Sequence, residues 1–366
     1  MLPPKYSIST ITQTPLIEES KLLSILKDIY GIENCVVHKL TGYDDLNFRI
    51  ENVLFCSIAN LELTKRNEKT FIVKFTNPLE ASNPLLLDGQ TKLTSHLRSK
   101  GIPCAETLPT IDGSLWKIVN MTDKVTAPIR LFQFLPGLML EKIGYNDTVY
   151  HLMGGLLADF HNATSDFSHP TYEGWCHFMC NEDWDNLEDE LHHQVKESLL
   201  TDKTQIELCQ RGFDDLRNDI ISHKSDFKAG FIHSDVNETN VLLQKVSDGK
   251  YKITGLLDFG DTHQSLLIYD IAALILYLAV DANEDNWRII AKPVIEGYNE
   301  KRKAEDLEQI LVSMRARLVS SLIYALRTIR INFRNEDPTY ILKMQANGWR
   351  VLELLTKEYD SNQRLI

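Results

Sequence analysis

Residues 231–243 read FIHSDVNETNVLL and residues 253–261 read ITGLLDFGD, with Ser247-Asp248-Gly249 between them. Asp-Gly between two β-rich runs is a strong hairpin signal, because a two-residue turn needs positive φ and glycine supplies it without strain. With Asp248 and Gly249 as the turn residues, Asn240 falls within one residue of the register partner of Asp258. The two side chains are then expected at the open end of the hairpin, about 5 Å apart. Asp235 lies five residues before Asn240 on a loop leaving a short strand, so three oxygen-bearing side chains converge.

Hard oxygen donors of this kind suit Mg²⁺, which takes one or two carboxylates and completes its shell with water and phosphate oxygens. Soft-metal chemistry does not fit, because no thiolate or paired His accompanies these residues. His233, Asp235 and Asn240, followed by Asp258-Phe259-Gly260, have the HxDxxxxN and DFG spacing in which one Asp is a catalytic base and Asn and the second Asp hold metal. Phosphate also needs a cation, and upstream FIVKF offers Lys74 in an alternating strand. The plain alternative is a Lys on the wet side of a half-buried strand. The position of Lys74 ahead of the hairpin, with acids opening the next helix, favours the phosphate role.

Further out, Leu22, Leu23, Ile25, Leu26 and Ile29 recur at helical spacing and stop at Gly31. CVVHKL, LNFRI, VLFCSI and TFIVKF then read as strands of a small antiparallel sheet. A helix with Leu86, Leu93 and Leu97 on one side closes at Gly101, LWKIV and IRLFQFL return to strand, and Leu135-Pro136-Gly137 marks a boundary. Beyond it Asp147 is placed to cap a helix, and 201–223, 268–280, 305–332 and 338–357 are helical by pattern.

Composition agrees with two packed units. The 366 residues include 17 Gly and 12 Pro and are 43% hydrophobic and 25% charged, which excludes collagen-like and disordered classes. A net charge of −12 repels a polyanion, so nucleic acid is not an expected partner, and a cationic small molecule is favoured. Six dispersed cysteines read as reduced thiols. Cys176, His177 and Cys180 lack a second ligand pair, so no zinc is assigned. The N-terminus has no apolar block of signal-peptide length, and Ile268 to Val280 is shorter than the ~20 residues that span a bilayer. A soluble, cytoplasmic protein without a membrane partner is expected. Gly249-Lys250 is preceded by Gln244 where a P-loop needs Gly, and no GxGxxG occurs, which disfavours Walker and Rossmann enzymes.

Taken together, Tyr43-Asp44-Asp45 with Asn47-Phe48, VKFTNP around Lys74, Leu135-Pro136-Gly137, HSDVNETN, and LLDFGDTH followed by Asp270 resemble the aminoglycoside phosphotransferase and choline kinase superfamily, and within it the hydroxylysine kinase family. The resemblance covers nearly the whole chain. It implies an α+β fold: a bilobal protein-kinase-like arrangement with a small antiparallel-sheet N-lobe (1–130), an interlobe hinge (131–137) and a larger, mainly helical C-lobe (138–366). Nucleotide would lie between the lobes beneath the loop Thr41 to Asn47, contacted by Gly42, Tyr43 and Asn47. Phe132, Gln133 and Phe134 would read the base, Lys74 would hold the α- and β-phosphates, and Asp88 would replace the helix Glu that usually pairs with this lysine. Asp235 would be the base, His233 its brace, and Asn240 and Asp258 the Mg²⁺ ligands. The family's Gly after the His is here Ser234.

On the acceptor side, Leu318, Leu322, Ala325 and Ile329 form an apolar stripe, with Arg317, Ser321 and Tyr324 on another face. Arg317 has the planar fork that binds a carboxylate, or that pairs with an acid of a neighbouring helix. Asp261 and Trp175 join it as acceptor-site candidates. The acid-rich run Glu182 to Glu190 near Trp184 is either an ammonium site or solvated surface, and His151, His161 and His169 read as scattered, with no acidic partner. These features lead to a small-molecule kinase passing the γ-phosphate of ATP or GTP to the hydroxyl of an amine-containing metabolite, with 5-hydroxy-L-lysine favoured. Kinases of choline, homoserine or aminoglycosides, a nucleotide-binding regulator, and a metal-dependent phosphate-ester hydrolase are the alternatives.

Overall fold

The computed structural model describes residues 12, 14–122, 125–176, 180–332 and 338–361. Helix α1 (Glu19–Tyr30) buries Leu22, Ile25, Leu26 and Tyr30 and stops at Gly31, whose φ of 67° lets its N–H bond back to the Lys27 carbonyl at 3.0 Å. Strands β1 (Ile32–Leu40) and β2 (Leu46–Phe55) come next. LNFRI and VLF thus form one strand and not two, with Asn52 at φ 53° within it. Short helix α2 (Leu61–Thr64) leads to β3 (Phe71–Phe75), α3 (Pro78–Ala81) and α4 (Pro84–Ser99). Strands β4 (Thr107–Leu108), β5 (Lys117–Asn120) and β6 (Thr126–Gln133) complete an antiparallel sheet of order β1-β2-β3-β6-β4, with β5 also on β6.

The period of two in β3 fixes the direction of its lysine. Phe71, Val73 and Phe75 enter a core with Phe48, Ile50, Ile129 and Leu131 under α1, which turns Lys74 to the other face of the sheet, paired with Asn47 in β2. Strand β6 crosses position 131, so the sequence boundary between lobe and hinge lies inside a strand.

The connection between lobes is short. Leu138 exchanges backbone hydrogen bonds with Leu243, at 2.8 and 2.9 Å, which ties the link to the segment 241–256. Gly137 just before it has φ 144°, and a Cβ there would lie 2.4 Å from Thr254 Oγ1. Gly137→Ala should therefore destabilise the protein by about 1–3 kcal/mol, read as a lower urea midpoint; an unchanged midpoint would show that the link relaxes freely.

The C-terminal region is helical around one interruption. It comprises α5 (Leu140–Ile143), α6 (Asp147–Ala163), α7 (Trp184–Lys196) and α8 (Lys203–Asp219). Strands β7 (Ala229–Ile232), β8 (Val241–Ser247), β9 (Lys250–Leu256) and β10 (His263–Leu266) interrupt it. Helices resume with α9 (Leu267–Asp281), α10 (Trp287–Asn299), α11 (Ile310–Arg327), α12 (Pro338–Ile341) and α13 (Lys343–Asp360). Asn146 caps α6 by accepting from Val149 N, and Asp147 is the first helical residue. Leu307–Ile331, around α11, is long and apolar enough to cross a membrane, yet 72% of its apolar window is buried inside the fold. Helices α6, α9 and α11 hold the larger core against which the strand-rich insert is fixed.

Candidate active site

The hairpin β8–β9 turns at Gly249 (φ 69°) and pairs Val241 with Leu256 and Leu242 with Gly255. The pairing continues one step, with Leu257 N donating to Asn240 O at 2.8 Å. Two register shifts within the hairpin cancel, so its open end matches the sequence register. Past it, Asp258 turns out of the strand at φ 56°.

The loop before β8 is built from the inside. Asp270, at the start of α9, accepts from His233 N and Ser234 N, both at 2.7 Å, and is itself fully buried. Those two bonds hold Ser234 at φ 72°, the left-handed geometry that glycine takes without cost. His233 Nε2 donates to Leu257 O at 3.0 Å, while its Nδ1 accepts from Asp235 N at 3.3 Å, so a neutral ring staples the loop to the hairpin. Burial holds its pKa below the usual histidine range.

Asp235 emerges from this frame with both oxygens engaged. Asn240 Nδ2 donates to Oδ2 and to the Asp235 carbonyl, each at 2.9 Å, and Arg317 Nη2 reaches Oδ1 at 3.2 Å. Burial pushes the Asp235 carboxyl up to about 7 against the pull of Arg317, with Asp261 and Asp258 adding like charge. Arg317 Nε donates to Tyr277 Oη at 2.6 Å, and that hydroxyl lies 3.0 Å from Ser321 Oγ. The acid that Arg317 meets is Asp235 of the loop and not one of a neighbouring helix, the pairing the sequence offered as the alternative to a carboxylate ligand.

From the sheet, Lys74 Nζ reaches Asp45 Oδ2 at 2.6 Å and Asp258 Oδ1 at 3.2 Å. Burial opposes its charge, but Asp258, Asp45 and Glu80 outweigh it and raise its pKa. The same ammonium lowers the pKa of Asp258.

Asp88 is not the partner of Lys74. It is 42% exposed on the outside of α4, bonded to Lys92 at 2.9 Å and His169 at 3.2 Å. The acids that act on Lys74 are Asp45, from the loop before β2, and Glu80, which Asn77 and Gln90 hold buried at the turn into α4. Pro78 and the Asn77 cap give that connecting segment its own short helix, and this points Glu80 inward.

Other sequence candidates separate clearly. In the loop Thr41 to Asn47, a Cβ on Gly42 would meet Asp45 O at 2.4 Å, which accounts for glycine at this tight turn. Tyr43 faces the C-terminal helices, donating to Ile341 O at 3.1 Å and stacking on Tyr324 at 5.9 Å. Phe132 lies in the sheet opposite Ile72 and Thr107, and Gln133 ends β6. Phe134 begins the segment that leaves the sheet. Trp175 is buried edge-on against Tyr172 and His263, so it is core and not an open wall. Near it a small space of about 10 Å³, room for one water, lies beneath the loop between His263, Ser234, Asn181 and Arg317. Asp261 accepts from His263 Nδ1 through its carbonyl at 2.7 Å.

The acid-rich run is neither an open ammonium site nor plain surface. Arg217 covers the Trp184 ring at 4.3 Å and bonds Glu188, and Arg330 clasps buried Glu190 at 2.6 Å. The three histidines also gain acidic partners: His151 with Glu300, His169 with Asp88 and His161 with Asp270. His161 joins Tyr298 Oη to Asp270 and so lies one layer behind the loop that carries Asp235. Among the described residues no group of three or more His, Cys, Asp or Glu could enclose a metal, and His177 lies outside them.

A two-ligand metal site is a different matter. Asn240 spends its amide nitrogen on Asp235, and Asp258 binds Lys74 and Gly260 N through Oδ1, so Asn240 Oδ1 and Asp258 Oδ2 are the oxygens that remain for a metal. An amide oxygen and a carboxylate oxygen are the hard donors that a phosphate-bound divalent cation needs from protein.

The family profile described as "Phosphotransferase enzyme family" matches residues 57–305. A hydroxylysine kinase of Danio rerio is 23% identical over 355 residues, covering 95% of this chain and 94% of its own. Among solved structures, a microcompartment-associated aminopropanol kinase superposes with a TM-score of 0.70 at 16% identity over 94% of this chain and 98% of that one. Amicoumacin kinase in complex with AMP-PNP, Ca²⁺ and Ami does so with a TM-score of 0.66 at 15% identity, covering 93% and 94%.

Proposed function

The chain belongs to the phosphotransferase enzyme family, and from that premise we propose that it transfers the γ-phosphoryl group of ATP or GTP to the hydroxyl of a small amine-containing metabolite, 5-hydroxy-L-lysine being the favoured acceptor. The observation that carries this reading is the meeting of Lys74 with Asp258, 184 positions apart in the chain, with Asp258 close enough to Asp235 to act on it as a like charge. A cation for phosphate, a metal-ligand pair and a base are then within reach of one another.

In this reading Asp235 accepts the proton of the acceptor hydroxyl. Asn240 fixes its Oδ2, and His233 and Asp270 fix the backbone beneath it. Lys74 contacts the α- and β-phosphates, with Gly42, Asn47 and the backbone of Tyr43 above and Phe132, Gln133 and Phe134 beside the base. Asn240 and Asp258 would hold Mg²⁺, which when bound supplies positive charge to the phosphate oxygens. The protein's share is alignment and charge neutralisation. A cytoplasmic setting goes with this reading, supported by six cysteines that form no disulfide.

Arg317 lines the acceptor side, with Asp261 near, and is the group suited to an acceptor carboxylate. Arg317→Lys keeps the charge but loses the fork, so the KM for 5-hydroxy-L-lysine should rise about 10–100-fold, more than for choline, which has no carboxylate. Equal losses for both acceptors would remove the carboxylate role. The reaction itself is tested by incubating the protein with labelled ATP or GTP and 5-hydroxy-L-lysine, choline, homoserine or an aminoglycoside. Transfer to hydroxylysine is expected. Release of free phosphate alone would turn the reading to hydrolysis, and no turnover at all would turn it to a nucleotide-binding regulator.

A further inference from the structure

The contacts that hold the loop Thr41 to Asn47 close a ring around the cleft. Arg317 on α11 bonds Asp235 at 3.2 Å, and on the same helix Tyr324 donates to Asp44 Oδ2 at 2.6 Å. The next residue, Asp45, bonds Lys74 at 2.6 Å, and Lys74 bonds Asp258 at 3.2 Å. Asp258 sits at the open end of the hairpin whose other strand brings Asn240 back to Asp235 at 2.9 Å. Adjacent loop residues thus grip opposite walls, Asp45 the sheet and Asp44 the helix.

The helix side of the ring is reinforced. Tyr43 stacks on Tyr324 with 25° between the rings, and Thr12 donates to Asp44 Oδ1 at 3.0 Å. Arg317 and Tyr324 are seven residues apart, so at 1.5 Å per residue the two contacts are separated by ~10 Å along the axis of α11. A six-carbon amino acid fits within that length, whereas a three-ring aminoglycoside does not.

We infer that Tyr324, by latching Asp44 and Tyr43, closes the far end of the acceptor site and sets an upper limit on acceptor size. This rests on the small-molecule kinase reading for its acceptor, but not for the latch, so the test has two parts. Hydrogen–deuterium exchange is measured across residues 41–47 in the wild type, Tyr324→Phe, which loses only the hydroxyl, and Tyr324→Ala, which loses hydroxyl and stack. Exchange should rise in that order, by about 10-fold or more for Ala, which loses the hydrogen bond and the ring stack together. In parallel, kcat/KM is compared for 5-hydroxy-L-lysine and a three-ring aminoglycoside, and their ratio should fall at least ~10-fold in Tyr324→Ala.

Unchanged exchange in both variants overturns the latch whatever the kinetics. Faster exchange with an unchanged acceptor ratio overturns the size limit. Should no acceptor be phosphorylated by any of the three proteins, the kinase reading fails, and binding of the aminoglycoside by calorimetry to Tyr324→Ala but not to the wild type still supports the closure. Equal aminoglycoside binding by both proteins rejects it.

Discussion

Replacing Asp235 with asparagine should lower turnover by about 10²–10⁴-fold while nucleotide affinity stays near that of the wild type. The substitution keeps the shape of a side chain gripped by Asn240 and Arg317 but removes the lone pair that takes the acceptor's proton. Lys74 and Asp258, the groups proposed for phosphate and metal, lie on other elements and are untouched. The ionisation of Asp235 adds a second signature. Burial places its pKa at about 7, and the base acts only as carboxylate, so kcat/KM should climb with pH until about 7 and then level. Arg317 works against that upward shift, so Arg317→Met should move the rise to higher pH. Turnover measured over pH 5–9 checks both, and a wild-type rate in Asp235→Asn would refute the assignment.

Asp258→Ala should abolish metal-dependent nucleotide binding. Half of this side chain is open to the cleft, and it is the sole carboxylate of the proposed metal pair. Groups that merely support a metal ligand are worth 10–100-fold in affinity, so loss of the ligand itself should cost about 100-fold or more. Calorimetric titration of ATP and GTP, with and without Mg²⁺, reads the effect. In the wild type Mg²⁺ should tighten binding, and in the variant the two curves should coincide. Unchanged affinity would remove Asp258 from the site.

Much of this site was legible because it is local. The hairpin register, the left-handed turn at Gly249 and the spacing from His233 to Asp258 come from residue types inside one short stretch of chain. The alternation of FIVKF likewise turned Lys74 away from Phe71, Val73 and Phe75. What stayed hidden was pairing over distance. Asp88 lies on the first long helix after Lys74, yet Asn77 and Pro78 start a separate short helix that carries Glu80 inward, and α4 is rotated so that Asp88 meets His169. Asp45 was readable in retrospect, because Asn47 is paired with Lys74 and Asp45 stands two residues before it. The bond from His161 to Asp270 spans 109 residues, and helical facing within α6 carries no trace of it. Arg317 had two readings because its fork suits any carboxylate, and only the packing of α11 shows which one it meets first.

The chemistry-bearing hairpin has a consequence for how the molecule assembles. Asp235, Asn240 and Asp258 come together by closing short loops, which costs little chain entropy, whereas Lys74 joins them only across a separation of 184 positions. Refolding from denaturant should therefore yield a species in which the hairpin amides are already protected before the sheet docks, and ATP added at that stage should leave its formation rate unaltered.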